Sequence, residues 1–268
     1  MKSLLVAFEL APACHAQQID ELASLSLSVT ALFESYIEVV AIAPPFPNSW
    51  MAGEIDLSTP EVFRPCSEGD AYAAYERAFN AALNPGRCSW GGLLNAEEIG
   101  PFARRFDLIC MARPQIRPPG PTRESVEHAL FESGRPLLLA SERKGKLDGK
   151  AVISWTDTLE TARVTALALP ILKRMQSVHL VSVLAQQGTL PSPETAVKAL
   201  RRHGINAECS IIDNRGSVGQ TVLEFAYEMR ADLLVKGAYT QTRLRRLIFG
   251  GTTDYILSHS AIPILLAH

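Results

Sequence analysis

The chain has 268 residues, of which 47% are hydrophobic and 20% charged, with a net charge of −2. That is enough apolar material for one large domain or two of ordinary size, and the near-neutral balance excludes a general attraction to nucleic acid or anionic membrane. Five cysteines (Cys14, Cys66, Cys88, Cys110 and Cys209) are scattered and odd in number, with no C-x-x-C pair. They fit reduced thiols in a cytoplasm better than a disulfide frame or a zinc site.

Residues 2–8 form an apolar run that Glu9 interrupts, so the stretch reads as a first buried strand rather than a signal peptide. No window approaches the roughly 20 apolar residues that span a bilayer. Residues 17–33 have helical spacing. Residues 36–42, YIEVVAI, are a strand rich in β-branched side chains, ended by Pro44, Pro45 and Pro47. An irregular stretch, 48–69, follows with Trp50, Met51 and Phe63; its expected place is a loop on the domain surface. Residues 71–83 are helical by composition until Asn84-Pro85-Gly86 stops them. Residues 87–94 read as a strand broken at Gly91-Gly92, 97–105 as a short helix and 107–111 (DLICM) as a buried strand. After a proline-rich loop come a helix over 123–131, capped at Ser133-Gly134, and a strand, PLLLA, over 136–140.

The polar stretch 141–150, SERKGKLDGK, marks a boundary, placing one domain over residues 1–143 and a second over 150–268. The second half repeats the first. Strands are predicted over 151–155, 178–184, 207–213, 233–236 and 262–266. Helices are predicted over 159–175, 193–203 and 218–230, with another beginning near Gly250. RRFDLICMARP matches MRADLLVKGAY, and ESGRPLLLA matches SHSAIPILLA. Strands that alternate with helices argue for a parallel sheet covered on both faces. The fold class is therefore α/β: two tandem, doubly wound, Rossmann-like domains of about five strands each.

The most informative stretch is 231–268. A buried run, Leu233-Leu234-Val235, is followed at once by Gly237. A basic, hydroxyl-rich loop comes next, with Tyr239, Thr240, Gln241, Thr242, Arg243, Arg245 and Arg246. Gly250-Gly251-Thr252-Thr253 then open a helix. Glycine lets an anion approach the backbone, and a helix N-terminus offers unpaired N–H groups. The stretch resembles the C-terminal signature of the universal stress protein family, Gly-x-x-Gly, nine residues, then Gly-Ser or Gly-Thr. Gly237 matches the first glycine and Gly250 the third. Thr240 stands in place of the second glycine and Gly251 in place of the hydroxyl, with Thr252 supplying a hydroxyl one residue late.

The resemblance implies strand order 3-2-1-4-5 in each half and two halves packed as a pseudo-dimer. It implies an adenine-nucleotide site in the C-terminal half. There Thr156 falls where the family's adenine-reading residue stands, and Asp157 lies one residue later. Val183 would offer a backbone contact, Gly237 and Gly250 would line ribose and phosphates, and Arg243 would add positive charge. ATP or another adenine nucleotide is the expected ligand, with no metal beyond nucleotide-associated magnesium. In the N-terminal half Ala112-Arg113-Pro114-Gln115 replaces Gly-x-x-Gly, and proline has no N–H to offer a phosphate. Glu9 reads there as a solvated loop residue, and no nucleotide is expected in this half.

No catalytic constellation is visible. The six histidines are dispersed, and neither a G-x-S-x-G elbow nor a Walker A lysine motif is present. Three readings follow: a cytoplasmic stress-response binding or regulatory module with a weak or altered adenine-nucleotide site, a slow ATPase or phosphotransferase, or a ligand-free protein-interaction module. The apolar last strand is expected to pair, either with the strand over 136–140 inside the same chain or with another subunit in a homodimer.

Overall fold

The apolar runs become strands and the stretches between them helices in this computed structural model, which describes residues 1–9, 16–43, 68–80, 87–114, 123–142, 147–184, 193–238 and 251–268. The first half holds β1 (Ser3–Glu9), α1 (Ala16–Phe33), β2 (Tyr36–Ile42) and α2 (Glu68–Tyr75), which runs on as a π-helical turn. It continues with β3 (Cys88–Leu94), α3 (Ile99–Ala103, entered through a 3-10 turn), β4 (Leu108–Met111), α4 (Arg123–Glu132) and β5 (Leu137–Leu139). The second half holds β6 (Lys150–Ser154), α5 (Leu159–Leu172), β7 (Ser177–Leu184), α6 (Glu194–Arg202) and β8 (Ala207–Asp213). It closes with α7 (Val218–Glu228), β9 (Leu233–Gly237), α8 (Gly251–His259) and β10 (Ile264–Ala267).

All of these strands lie in one ten-stranded sheet, ordered β3-β2-β1-β4-β5-β10-β9-β6-β7-β8. Within each half every pairing is parallel and the order is 3-2-1-4-5. The halves meet at one antiparallel pair, β5 with β10. Ile264 faces Leu139, Leu265 faces Leu138 and Leu266 faces Leu137. Since PLLLA and PILLA are the same place in the repeat, the seam is self-complementary about Leu138 and Leu265. This is the arrangement a two-fold axis imposes on an isologous interface, and neither β5 nor β10 is left as an open apolar edge.

Side chains alternate across the sheet. Leu4, Val6 and Phe8 of β1 enter a core shared with α1, α2, α5 and α6. Leu5 and Ala7 enter the opposite core, built with α3, α4, α7 and α8. Both faces are covered, so the central strands are apolar without interruption. The repeat extends to the strand starts. Asp107 accepts hydrogen bonds from Lys2 N (2.6 Å) and Ser3 N (3.1 Å), and its counterpart Asp232 accepts one from Lys150 N (2.9 Å).

Several details differ from the sequence expectation. The helix predicted over 97–105 is a 3-10 turn followed by one short α-helix, which holds Pro101, a residue with no N–H to donate, and closes on an Arg104 N to Pro101 O bond. The helix predicted from residue 71 begins at Glu68, so the end of the 48–69 stretch is helical, while 44–67 lies outside the described residues. At Gly91-Gly92 the β2–β3 register shifts between Val39 and Val40. A Cβ on Gly91 would sit 2.8 Å from Val40 Cγ1, and Gly92 has φ +97°, so a glycine bulge makes the break.

Candidate functional site

In the C-terminal half β6 is flanked by β7 on one side and β9 on the other. The chain leaves β6 and β9 at the same end, side by side, where the strand order reverses. That is the position at which open α/β sheets bind ligands. The first loop carries Thr156 and Asp157; the second begins after Gly237 and ends at α8. Thr240, Arg243 and Gly250 lie outside the described residues.

Thr158 caps α5: it is extended (φ −121°, ψ 159°) and its side chain accepts from Thr161 N. Around this cap three threonine hydroxyls meet. Thr161 Oγ1 lies 2.9 Å from Thr156 Oγ1 and 3.2 Å from Thr158 Oγ1. Thr161 is buried and Thr156 exposed, so the hydroxyl at the predicted adenine-reading position is anchored from below. Asp157 beside it is exposed, and among the described residues no hydrogen bond or ion pair holds its carboxylate.

Gly237 is where sequence reasoning saw a phosphate contact and the structure shows a packing requirement. A Cβ there would lie 2.6 Å from Thr161 N and 2.7 Å from Glu160 C. Both are backbone atoms, so the end of β9 presses directly on the first turn of α5. Val183 stands in the part of β7 that runs past the last β6–β7 rung. It is buried on the face of α7 and α8.

Sequence reasoning passed over two residues at this end of the sheet. The indole Nε1 of Trp155 is buried and has no hydrogen-bond partner among the described residues; a buried N–H without an acceptor costs about 1–3 kcal/mol. Lys236 closes the apolar run of β9, and its Nζ donates to Gly237 O at 3.1 Å. No carboxylate meets it among the described residues, and burial pushes its amine down to about 8. The only sequence signal was a lysine standing directly against a buried strand.

The helices above meet closely as well. A Cβ on Gly219 of α7 would sit 2.8 Å from Thr252 O, which locks the first turns of α7 and α8 together. Gly251 opens α8 with open space where a Cβ would be, and Thr252 is half-buried. Asp254, in the same turn, pairs with Arg123 of the N-terminal half.

The equivalent place in the N-terminal half is occupied by the protein itself. Leu4 pairs with Leu108 as Ala151 pairs with Leu233, so Glu9 takes the place of Thr156. Ser125, which takes the place of Thr252 in the repeat, donates its hydroxyl to Glu9 Oε1. The reading of Glu9 as a solvated loop residue is therefore corrected: it ends β1 and its carboxylate is tied to the first turn of α4.

Residues 150–268 match the model of the Universal stress protein family. Stress response protein NhaX of Bacillus subtilis is 29% identical over 86 residues, 28% of this chain and 52% of that protein. Universal stress protein Slr1230 of Synechocystis is 31% identical over 71 residues, 26% of this chain and 24% of that protein. The chain thus spans about half the length of the first relative and about a quarter of the second. A universal stress protein from Archaeoglobus fulgidus shares the fold, with a TM-score of 0.65 at 14% identity over 99% of this chain and 95% of that one.

Proposed function

The chain belongs, through residues 150–268, to the universal stress protein family, and on that premise we propose that its C-terminal half binds an adenine nucleotide as a regulatory module. The observation that carries this reading is the buried Trp155 Nε1, a donor with no acceptor among the described residues, one residue before Thr156. Lys236 supports it. An ammonium at the end of β9 with no carboxylate among the described residues is a charge that a phosphate would balance. Gly251 and Thr252, at the start of α8, add backbone N–H groups and a hydroxyl on the anion-binding side of a helix. Asp157 and Thr156 are the groups within the β6 loop assigned to the base, with the Val183 main chain as a further contact. Magnesium would accompany the nucleotide's phosphates.

The N-terminal half serves a different purpose in this reading. Its switch point is closed by the Ser125–Glu9 hydrogen bond, and its counterpart of the phosphate loop carries Pro114. The β5–β10 seam gives the chain, within one molecule, the paired arrangement of two family domains, and we infer a monomer in solution, measurable by light scattering.

The test is calorimetric titration of nucleotide-stripped protein with Mg-ATP, ADP and AMP, beside Asp157→Ala and Thr240→Gly. The reading expects saturable binding that Asp157→Ala weakens and Thr240→Gly strengthens. Absence of binding in the parent chain and in Thr240→Gly refutes it.

A further inference from the structure

A polar cavity lies in the N-terminal half, at the carboxyl ends of β4 and β5. It is bounded by the first turns of α1 and by the segments that leave β4 and β5, and it has a volume of about 280 Å³. Two of its lining groups are buried polar atoms with no partner among the described residues: Arg113 Nη1 and Ser141 Oγ. Ser141 is 5% exposed. Both come from elements the fold holds firmly, since Ala112 and Ala140 beside them are buried at the ends of adjacent strands.

The opposite charge is present in the same cavity. Glu21 of α1 and Glu142, after β5, line it. Neither lies within ion-pair distance of Arg113, though both act on its guanidinium through space. Glu21 already accepts from Gln17 Nε2 at 2.9 Å, which orients its carboxylate. The cavity thus holds two donors, Arg113 and Ser141, and two carboxylates, Glu21 and Glu142. Leaving a guanidinium N–H and a hydroxyl buried and unpaired is costly, and more so for the charged group.

A simple anion satisfies the donors but meets two carboxylates, and a simple cation meets the guanidinium. A molecule with both charges satisfies both sets of groups. The volume falls just below the usual range of about 300–1,000 Å³ for pockets that hold drug-sized ligands, which favours a compact ligand. We propose that this cavity is a binding site for a small zwitterion of the α-amino acid class, its carboxylate held by Arg113 and Ser141 and its ammonium by Glu21 and Glu142. The site is separate from the nucleotide site, so the two readings stand or fall independently.

The experiment is calorimetric titration of the full chain with each common α-amino acid, and with propionate and propylamine as the two half-ligands. At least one amino acid is expected to bind saturably, with both half-ligands at least about tenfold weaker, the worth of one charge-assisted hydrogen bond. Arg113→Met and Ser141→Ala are expected to weaken the amino acid by a similar factor. Glu142→Gln, an exposed and structurally mild change, is expected to weaken the amino acid while strengthening propionate. That reversal separates a charge-matched site from damage to the fold. The proposal is overturned if no amino acid binds, if propionate binds as well as the best amino acid, or if Glu142→Gln shifts both in the same direction.

Discussion

Gly237→Ala separates two roles that one glycine has been given, contact with a phosphate and contact with a helix. The added Cβ would lie 2.6 Å from Thr161 N and 2.7 Å from Glu160 C, whereas ordinary contact begins at 3.4 Å. Strand and helix must therefore part by about 0.8 Å, the difference between 3.4 and 2.6. Neither clashing atom belongs to a flexible side chain, so the relief has to come from moving the first turn of α5. Overpacking of this kind costs about 1–3 kcal/mol, which for a chain of this size lowers the melting temperature by about 2–4 °C per kcal/mol. The assay is thermal or urea unfolding of the nucleotide-stripped protein, followed by circular dichroism. Stability is expected to fall in the absence of any ligand. Binding is also expected to weaken, because Thr158 and Thr161 shift with the turn. If the variant unfolds as the parent does and only loses nucleotide, the packing argument is wrong and the glycine serves the ligand alone.

Three further outcomes follow from the same structure. Folding pushes Lys236 down to about 8 from its ordinary value of 10.5. Between those two values the unfolded chain holds a proton that the folded chain releases, so this group makes stability rise with pH across that window. Lys236→Met is expected to remove that rise and to stabilise the ligand-free protein at neutral pH by about 1–3 kcal/mol, as read from urea midpoints at a series of pH values. An unchanged pH profile contradicts the assignment. At the seam, Leu138→Ala and Leu265→Ala are each expected to cost about 2–5 kcal/mol. The double variant should cost less than their sum, because the two side chains face one another across the antiparallel pair; strict additivity would mean they are not partners. Ser125→Ala removes a hydroxyl from the Glu9 carboxylate and is expected to destabilise the chain by about 1–3 kcal/mol without changing nucleotide affinity. A gain of a second nucleotide site in that variant would show that this bond alone closes the N-terminal half.

The elements with local signals were legible in the sequence. β-Branched runs gave the strands, Gly134 and Gly204 marked helix ends with φ of +65° and +78°, and RRFDL beside MRADL exposed the repeat. What those aspartates do, capping the start of β1 and of β6, needed the strands to be placed side by side. The last strand was expected to pair, but nothing local distinguishes an internal partner from another subunit. The choice depends on whether the chain between the halves lets β5 and β10 meet. Gly237 was recognised as special for a reason that covers only part of its role, because packing against α5 is set by a helix some 75 residues earlier in the chain. Glu9 was read as solvated because its partner Ser125 is far away in sequence. Lys236 and Trp155 carry no motif at all. Their significance comes from burial without a matching group, a property of the assembled sheet rather than of any segment.

The central claim is one nucleotide site per chain, in the C-terminal half. Native mass spectrometry of the full chain with excess AMP or ATP counts it directly. The account predicts a single bound nucleotide, lost in Asp157→Ala and retained in Ser125→Ala. Two nucleotides per chain, or none, would contradict it.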